Sequence, residues 1–164
     1  AAKKDCSTFN VDNVLSILTD MGVYGIDPSK LVLVTGMSGY IQMRNIRDSS
    51  GNQVVTTVDK YGPNATILKG ALAKFFGSPV IVSEYVYGNL NADGVYDGAT
   101  TTKTILLWVY VPAFVLGDRR RMTVKTDEDI ETDQQILVAT MRQDFHPFYA
   151  TTETMVGLGY NITT

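Results

Sequence analysis

The chain has 164 residues, is 45% hydrophobic and 19% charged, and carries a formal net charge of −3. That length favours one domain, or one and a half, with roughly two-thirds of the unfolded surface buried. The composition excludes a disordered chain, and the acidic balance speaks against a nucleic-acid surface, which needs a basic excess.

Residues 1–10 are polar and lack periodicity, which predicts a frayed start. Val11, Val14, Leu15, Leu18 and Met21 recur at spacings of three and four, the apolar stripe of a helix. Asn10 is placed to cap that helix and Gly22 to stop it. Leu31 to Thr35 is a short apolar run behind Asp27-Pro28-Ser29 and reads as a buried strand. Ser38 is placed to cap a second helix carrying Tyr40, Ile41, Arg44 and Ile46, and Asp48 to Asn52 reads as a turn. Val54 to Val58 alternates weakly as a strand. Gly70 to Phe76 is open between a helical turn and an irregular segment. Pro79 to Ser83 reads as a strand, Asn89 to Thr102 as a polar loop, and Thr104 to Tyr110 as a β-branched and aromatic strand that ends before Pro112. Tyr149 to Thr163 leans to strand, interrupted by Gly157 and Gly159. Helices and strands come in blocks rather than in alternation, which predicts an α+β mixed sheet with two or three short helices.

Chemistry-bearing residues are sparse. One cysteine, Cys6, and one histidine, His146, supply neither a disulfide nor a structural zinc site. The lone thiol fits a reducing compartment or a particle assembled in one. A Cys6/His146 dyad would need the chain ends to meet, together with a lowered thiol pKa. Gly36-Met37-Ser38-Gly39 falls short of the Gly-x-Ser-x-Gly elbow. Asn89, Asn91 and Asp93, followed by Gly94, partly fit a calcium loop, but the twelfth position is Thr100 rather than Glu. Asn, Asp and Gly are also the preferred turn residues, so the bland reading of that loop is turn chemistry. Asn64-Ala65-Thr66 and Asn161-Ile162-Thr163 match the glycosylation pattern without a secretory signal, as chance allows. No apolar run approaches the roughly 20 residues of a membrane-spanning helix. The chain opens at Ala1 without an initiator methionine, which reads as a processed or excised piece.

The most patterned stretch is Gly117 to Tyr160. Arg119, Arg120 and Arg121 precede a strand-like run, Met122 to Thr126. Asp127, Glu128, Asp129, Glu131 and Asp133 form an acidic turn, and a second run, Ile136 to Arg142, follows. Two strands joined by a charged loop predict a long β-hairpin. Its charges are either solvated hairpin ends or pairing groups for a neighbouring copy, with Arg142 among them.

Gly117-Asp118-Arg119-Arg120, then Arg142, Asp144, Phe145 and Pro147, resemble the C-terminal part of tailed-phage major capsid proteins of the HK97 fold. Leu68 to Glu84, with its Gly-Ser-Pro-Val-Ile-Val-Ser core, and Ser38 to Arg47 leading into Asp48-Ser49-Ser50-Gly51, resemble the same family. The resemblance covers the chain from about Val11 onward. It implies a fragment of the HK97-like capsid fold: an axial domain over residues 11–116, a peripheral-domain hairpin over 117–144, and a return to the axial domain over 145–164. It further implies a structural, non-enzymatic shell subunit that binds copies of itself as pentamers and hexamers. Such a shell encloses double-stranded DNA, forms part of the virion and is assembled in the host cytoplasm. No cofactor, metal, small-molecule substrate or membrane is implied, and other capsid components are possible partners. The family's N-terminal arm, extended loop and spine helix have no counterpart here, and neither do its crosslinking residues. The alternative is a soluble α+β binding module, such as a tail or baseplate component or an adhesin, and after it a small hydrolase.

Overall fold

From Ile105 to Val109 every residue is apolar and most are β-branched or aromatic, a composition that fits a pleated, buried strand. In the computed structural model, which describes residues 2–57, 70–129, 131–150 and 152–164, this run is the middle of β6, Lys103–Tyr110. The chain divides into two compact units, Ala1–Val111 with Thr151–Thr164, and Pro112–Ala150.

Among the described residues the first unit is a seven-stranded mixed sheet with two α-helices. Its strands are β1 (Ala2–Asp5), β2 (Leu31–Thr35), β3 (Thr56–Thr57), β4 (Ala73–Phe75), β5 (Ser78–Val82), β6 and β9 (Val156–Thr163), in the order β1-β9-β6-β2-β5-β4-β3. β1 lies parallel to β9 and β2 parallel to β5, and the other neighbours are antiparallel. Helices α1 (Val11–Met21) and α2 (Met37–Asn45) supply Val14, Ile17, Met21, Tyr40 and Met43 to the core. These pack with Leu31, Leu33, Val80, Leu106, Trp108 and Ile162 of the sheet. Trp108 buries its ring completely and donates its Nε1–H to the carbonyl of Val14 at 3.3 Å, so its one polar atom is satisfied. The buried hydroxyls are also matched: Thr35 donates to the Ile105 carbonyl, Thr104 to that of Tyr87 and Ser78 to that of Pro28.

Asn10 caps α1, its Oδ1 accepting from the Asn13 amide at 2.8 Å, and Gly22 ends it at φ +59°. Several expectations need correction. The N-terminus is not frayed: Ala2–Asp5 pairs with Gly157–Tyr160, and Cys6 N–H donates to the Tyr160 carbonyl at 2.9 Å. Ser38 is not the cap of α2. Gly36 holds that place without a side-chain bond, and Ser38 lies in the first turn. The open segment Gly70 to Phe76 contains β4, because its Phe75 and Ala73 fill the core while a tight turn at Phe76-Gly77 leads into β5. Val54 is a bend residue and the strand there shrinks to Thr56–Thr57; Val58 lies outside the described residues, as do Asn64-Ala65-Thr66 and Leu68-Lys69. Gly157 and Gly159 do not interrupt the last strand. A Cβ on Gly157 would lie 2.9 Å from Met21 Sδ and closer still to Ile17 Cγ2, so glycine lets α1 settle onto β9.

The second unit is a two-stranded antiparallel ribbon of β7 (Phe114–Asp129) and β8 (Gln134–Pro147), longer at both ends than residues 117–144. Phe114 and Phe145 stack nearly parallel, 5.3 Å apart and 4° from coplanar.

Candidate functional site

The ribbon carries the charged residues singled out above. Its register runs from Phe114 opposite Pro147 to Asp129 opposite Gln134, with irregularities between Asp118 and Thr123 that locally increase twist. Arg119 and Arg142 are exposed, and the register sets Arg120 opposite Arg142. Asp127, Glu128, Glu131 and Asp133 are exposed at the other end. Asp133 turns the chain at φ +51°, which a short acidic side chain tolerates. The side chains of Arg120, Arg121 and Asp129, and Ile130 as a whole, lie outside the described residues. Arg119 and Asp127 are eight residues apart on one strand, roughly 26 Å at ~3.3 Å per residue. A basic and an acidic group so separated along β7 do not neutralise one another across that span.

Sequence reasoning missed the apolar part of this surface. Leu116, Met122, Leu137, Met141 and Phe145 are each more than half exposed, with Phe145 at 63%. An isolated two-stranded hairpin is marginal in water, and this one presents large apolar side chains along its length. Their signal in the sequence was the alternation of Met122, Val124, Leu137, Ala139 and Met141 through the charged strands.

Among the described residues no other group is poised for chemistry. Burial first, and the neighbouring Asp5 charge second, push the Cys6 thiol up to about 11, the opposite of nucleophile activation. In the Asn89 loop, Asn91 Oδ1 accepts from the amides of Asp93 and Val95, each at 3.0 Å. Asp97 Oδ1 accepts from Ala99 and Thr100, and these bonds, Thr100's foremost, hold its carboxyl below the usual range. Asn89 Oδ1 is buried with no hydrogen-bond partner among the described residues, and Asp93 is exposed. The loop oxygens of Asn91 and Asp97 are thus engaged in closing turns, with Gly94 at φ +75° supplying the bend. Among the described residues no group of three or more His, Cys, Asp and Glu side chains gathers for a metal. No described helix is long and apolar enough to cross a membrane. An open groove of about 630 Å³ runs between Phe9, Asp12, Ile46, Asp48 and Phe76, but Asp48 there binds the amides of Ser50 and Asn52.

Comparison with known proteins supplies the family. The phage capsid family matches residues 1–152. The chain is 25% identical over 150 residues to the major capsid protein of Escherichia phage T5, a match spanning 91% of this chain and 29% of that protein. Its fold is similar to capsid chains of the empty and native GTA particles, both computed with C5 symmetry. Each comparison has a TM-score of 0.55 and 14% identity, over 93% of this chain and 44% of theirs. The chain therefore spans less than half the length of these relatives, and its α+β architecture is that of the HK97-like capsids. On the match over residues 1–152, the chain belongs to the phage capsid family.

Proposed function

We propose that this chain forms part of a structural subunit of a capsid shell, associating with copies of itself into five- and six-membered capsomers around double-stranded DNA. The observation that carries the reading is the ribbon of residues 114–147, exposed along its strands and both charged and apolar. A ribbon of that kind gains its stability from protein laid against it. In this reading Arg119, Arg120, Arg121 and Arg142 face the acidic Asp127, Glu128, Asp129, Glu131 and Asp133 of a neighbouring copy. Each exposed pair contributes only about 0–1 kcal/mol, so the charges set register and partner choice while apolar contact supplies most of the affinity. The seven-stranded unit corresponds to the axial domain and the ribbon to the peripheral one. The subunit resides in the virion, is assembled in the host cytoplasm, performs no catalysis and meets packaged DNA only as enclosed cargo.

The test is charge reversal at the acidic end. The triple variant Asp127→Lys, Glu128→Lys, Asp133→Lys should self-associate at least about tenfold more weakly than the parent, a difference of about 1.4 kcal/mol. Sedimentation equilibrium at low and high salt should show the difference shrinking as salt rises. Equal association of both proteins at low salt would remove the charged ribbon from the contact.

A further inference from the structure

β6 is apolar at every position from Ile105 to Val109, the pattern of a strand covered on both faces. Pairing registers give the arrangement on each face. One row crosses five strands through Ile81, Val34, Leu107, Leu158 and Lys3, and Val32 lies opposite Val109 on the same face. All six apolar residues are half-buried and none belongs to the core. Both described α-helices lie on the opposite face, so among the described residues no α-helix covers this one. Ile17 and Met21 of α1 sit against Gly157, and Gly39 of α2 sits against Thr35 and Thr104. The loop at Gly94 rests against Tyr160 and Ile105, at one end of the uncovered face.

The helix layer shows the converse feature. α2 buries Tyr40 and Met43 against the sheet, yet Met37 and Ile41, one turn apart, are 62% and 50% exposed on its outer side. A helix apolar on both sides is suited to burial on both sides. The charges differ as well. Lys3 and Lys74 are exposed at the two flanks of that sheet face, with the acidic Asp5 beside Lys3, whereas Asp12 and Asp20 are exposed on α1, with the basic Arg44 on α2.

We propose that the uncovered sheet face of one copy seats the outer helix layer of a second copy. Val34, Leu107 and Leu158 would pack on Met37 and Ile41, with the flanking lysines set against the α1 aspartates. The sheet would then lie between two helix layers, the arrangement its two-sided apolar strands call for. Sheet-to-sheet pairing would oppose the lysines of both copies, a like-charge contact that disfavours it. Because the two patches are unlike, the contact is head-to-tail, and repeating it closes a ring when the rotation between copies allows. This inference rests on the shell reading and gives that reading a specific contact.

The experiment mixes two variants. Met37→Glu/Ile41→Glu disables the helix patch at exposed positions, and Leu158→Lys disables the sheet patch; circular dichroism checks that each is folded. By native mass spectrometry each alone should associate at least about tenfold more weakly than the parent. Mixed in equal amounts, they should form a one-to-one heterodimer, since the intact sheet of the first meets the intact helix layer of the second. Should Leu158→Lys unfold, Val34→Thr replaces it. Association of Met37→Glu/Ile41→Glu at parental strength, or a mixture without heterodimer, would overturn the contact. Assembly of the parent that ignores both variants sinks this contact and leaves the shell reading intact. A parent that never associates sinks both.

Discussion

At Phe76 the backbone holds φ +46°, and at Gly77 φ +84°, joining Phe75 to its antiparallel partner Ser78 in a two-residue turn. Both central residues of such a turn need positive φ, which asparagine followed by glycine adopts readily and an aromatic residue does not. The Phe76 ring is half exposed and stands edge-on to Phe75 at 4.9 Å, recovering part of that cost. Phe76→Asn should therefore stabilise the chain by about 1 kcal/mol, read as a higher urea midpoint at unchanged slope. An unchanged or lower midpoint would mean that the Phe75–Phe76 contact outweighs the strain. At this scale the sequence was legible at some residues whose own chemistry acts locally, though not at Ser38, whose expected cap of α2 falls to Gly36. Asn10 and Gly22 do what a cap and a stop do, and the Asn91 and Asp97 side chains bond the amides just beyond them. Phe76 was illegible because the phenylalanine masked the turn that Gly77 demanded, leaving Gly70 to Phe76 undecided.

At the level of elements, β9 illustrates what spacing alone conceals. Gly157 and Gly159 weaken a strand by propensity, yet here they are the positions where α1 approaches most closely. Gly157→Val should destabilise the chain by ~1–3 kcal/mol, because its branches meet Ile17 and Met21 in a packed core. Chemical denaturation checks this, with Gly117→Val on the ribbon as comparison, where the nearest atom to an added Cβ is the Asp144 carbonyl oxygen at 3.8 Å. A smaller loss at Gly157 than at Gly117 would contradict the packing account. β1 lay beyond sequence reasoning for a related reason. Ala2 to Asp5 is a polar edge segment whose partner, Gly157 to Tyr160, is more than 150 residues away, and no local pattern encodes that pairing. The ribbon, by contrast, is a local hairpin with alternating strands and a charged turn, so its existence could be read and only its ends were short.

For the whole molecule, the blocks of helix and strand in the sequence point to the α+β class, and the charge clusters mark the hairpin. The order of strands does not follow from the sequence, because four of the six neighbouring pairs in the large sheet join segments separated by other described elements. The larger omission concerns apolar surface. Ile105 to Val109 reads as a strand, but a run apolar on both faces also requires two covers, and the described helices supply one. The ribbon repeats the theme with Leu116, Leu137 and Phe145 exposed. Both features follow from one physical circumstance. On the proposed shell reading, a chain whose stable state is an assembly distributes part of its core among its copies, so surfaces that look unfinished in one copy would be interior in the whole. The central claim is that this chain associates with itself in rings. It is tested most directly by the molar mass from light scattering over a concentration series at low and high salt. The account predicts masses of five or six copies of the 18.0 kDa chain that fall as salt rises. A mass of one copy at every concentration and salt would contradict it.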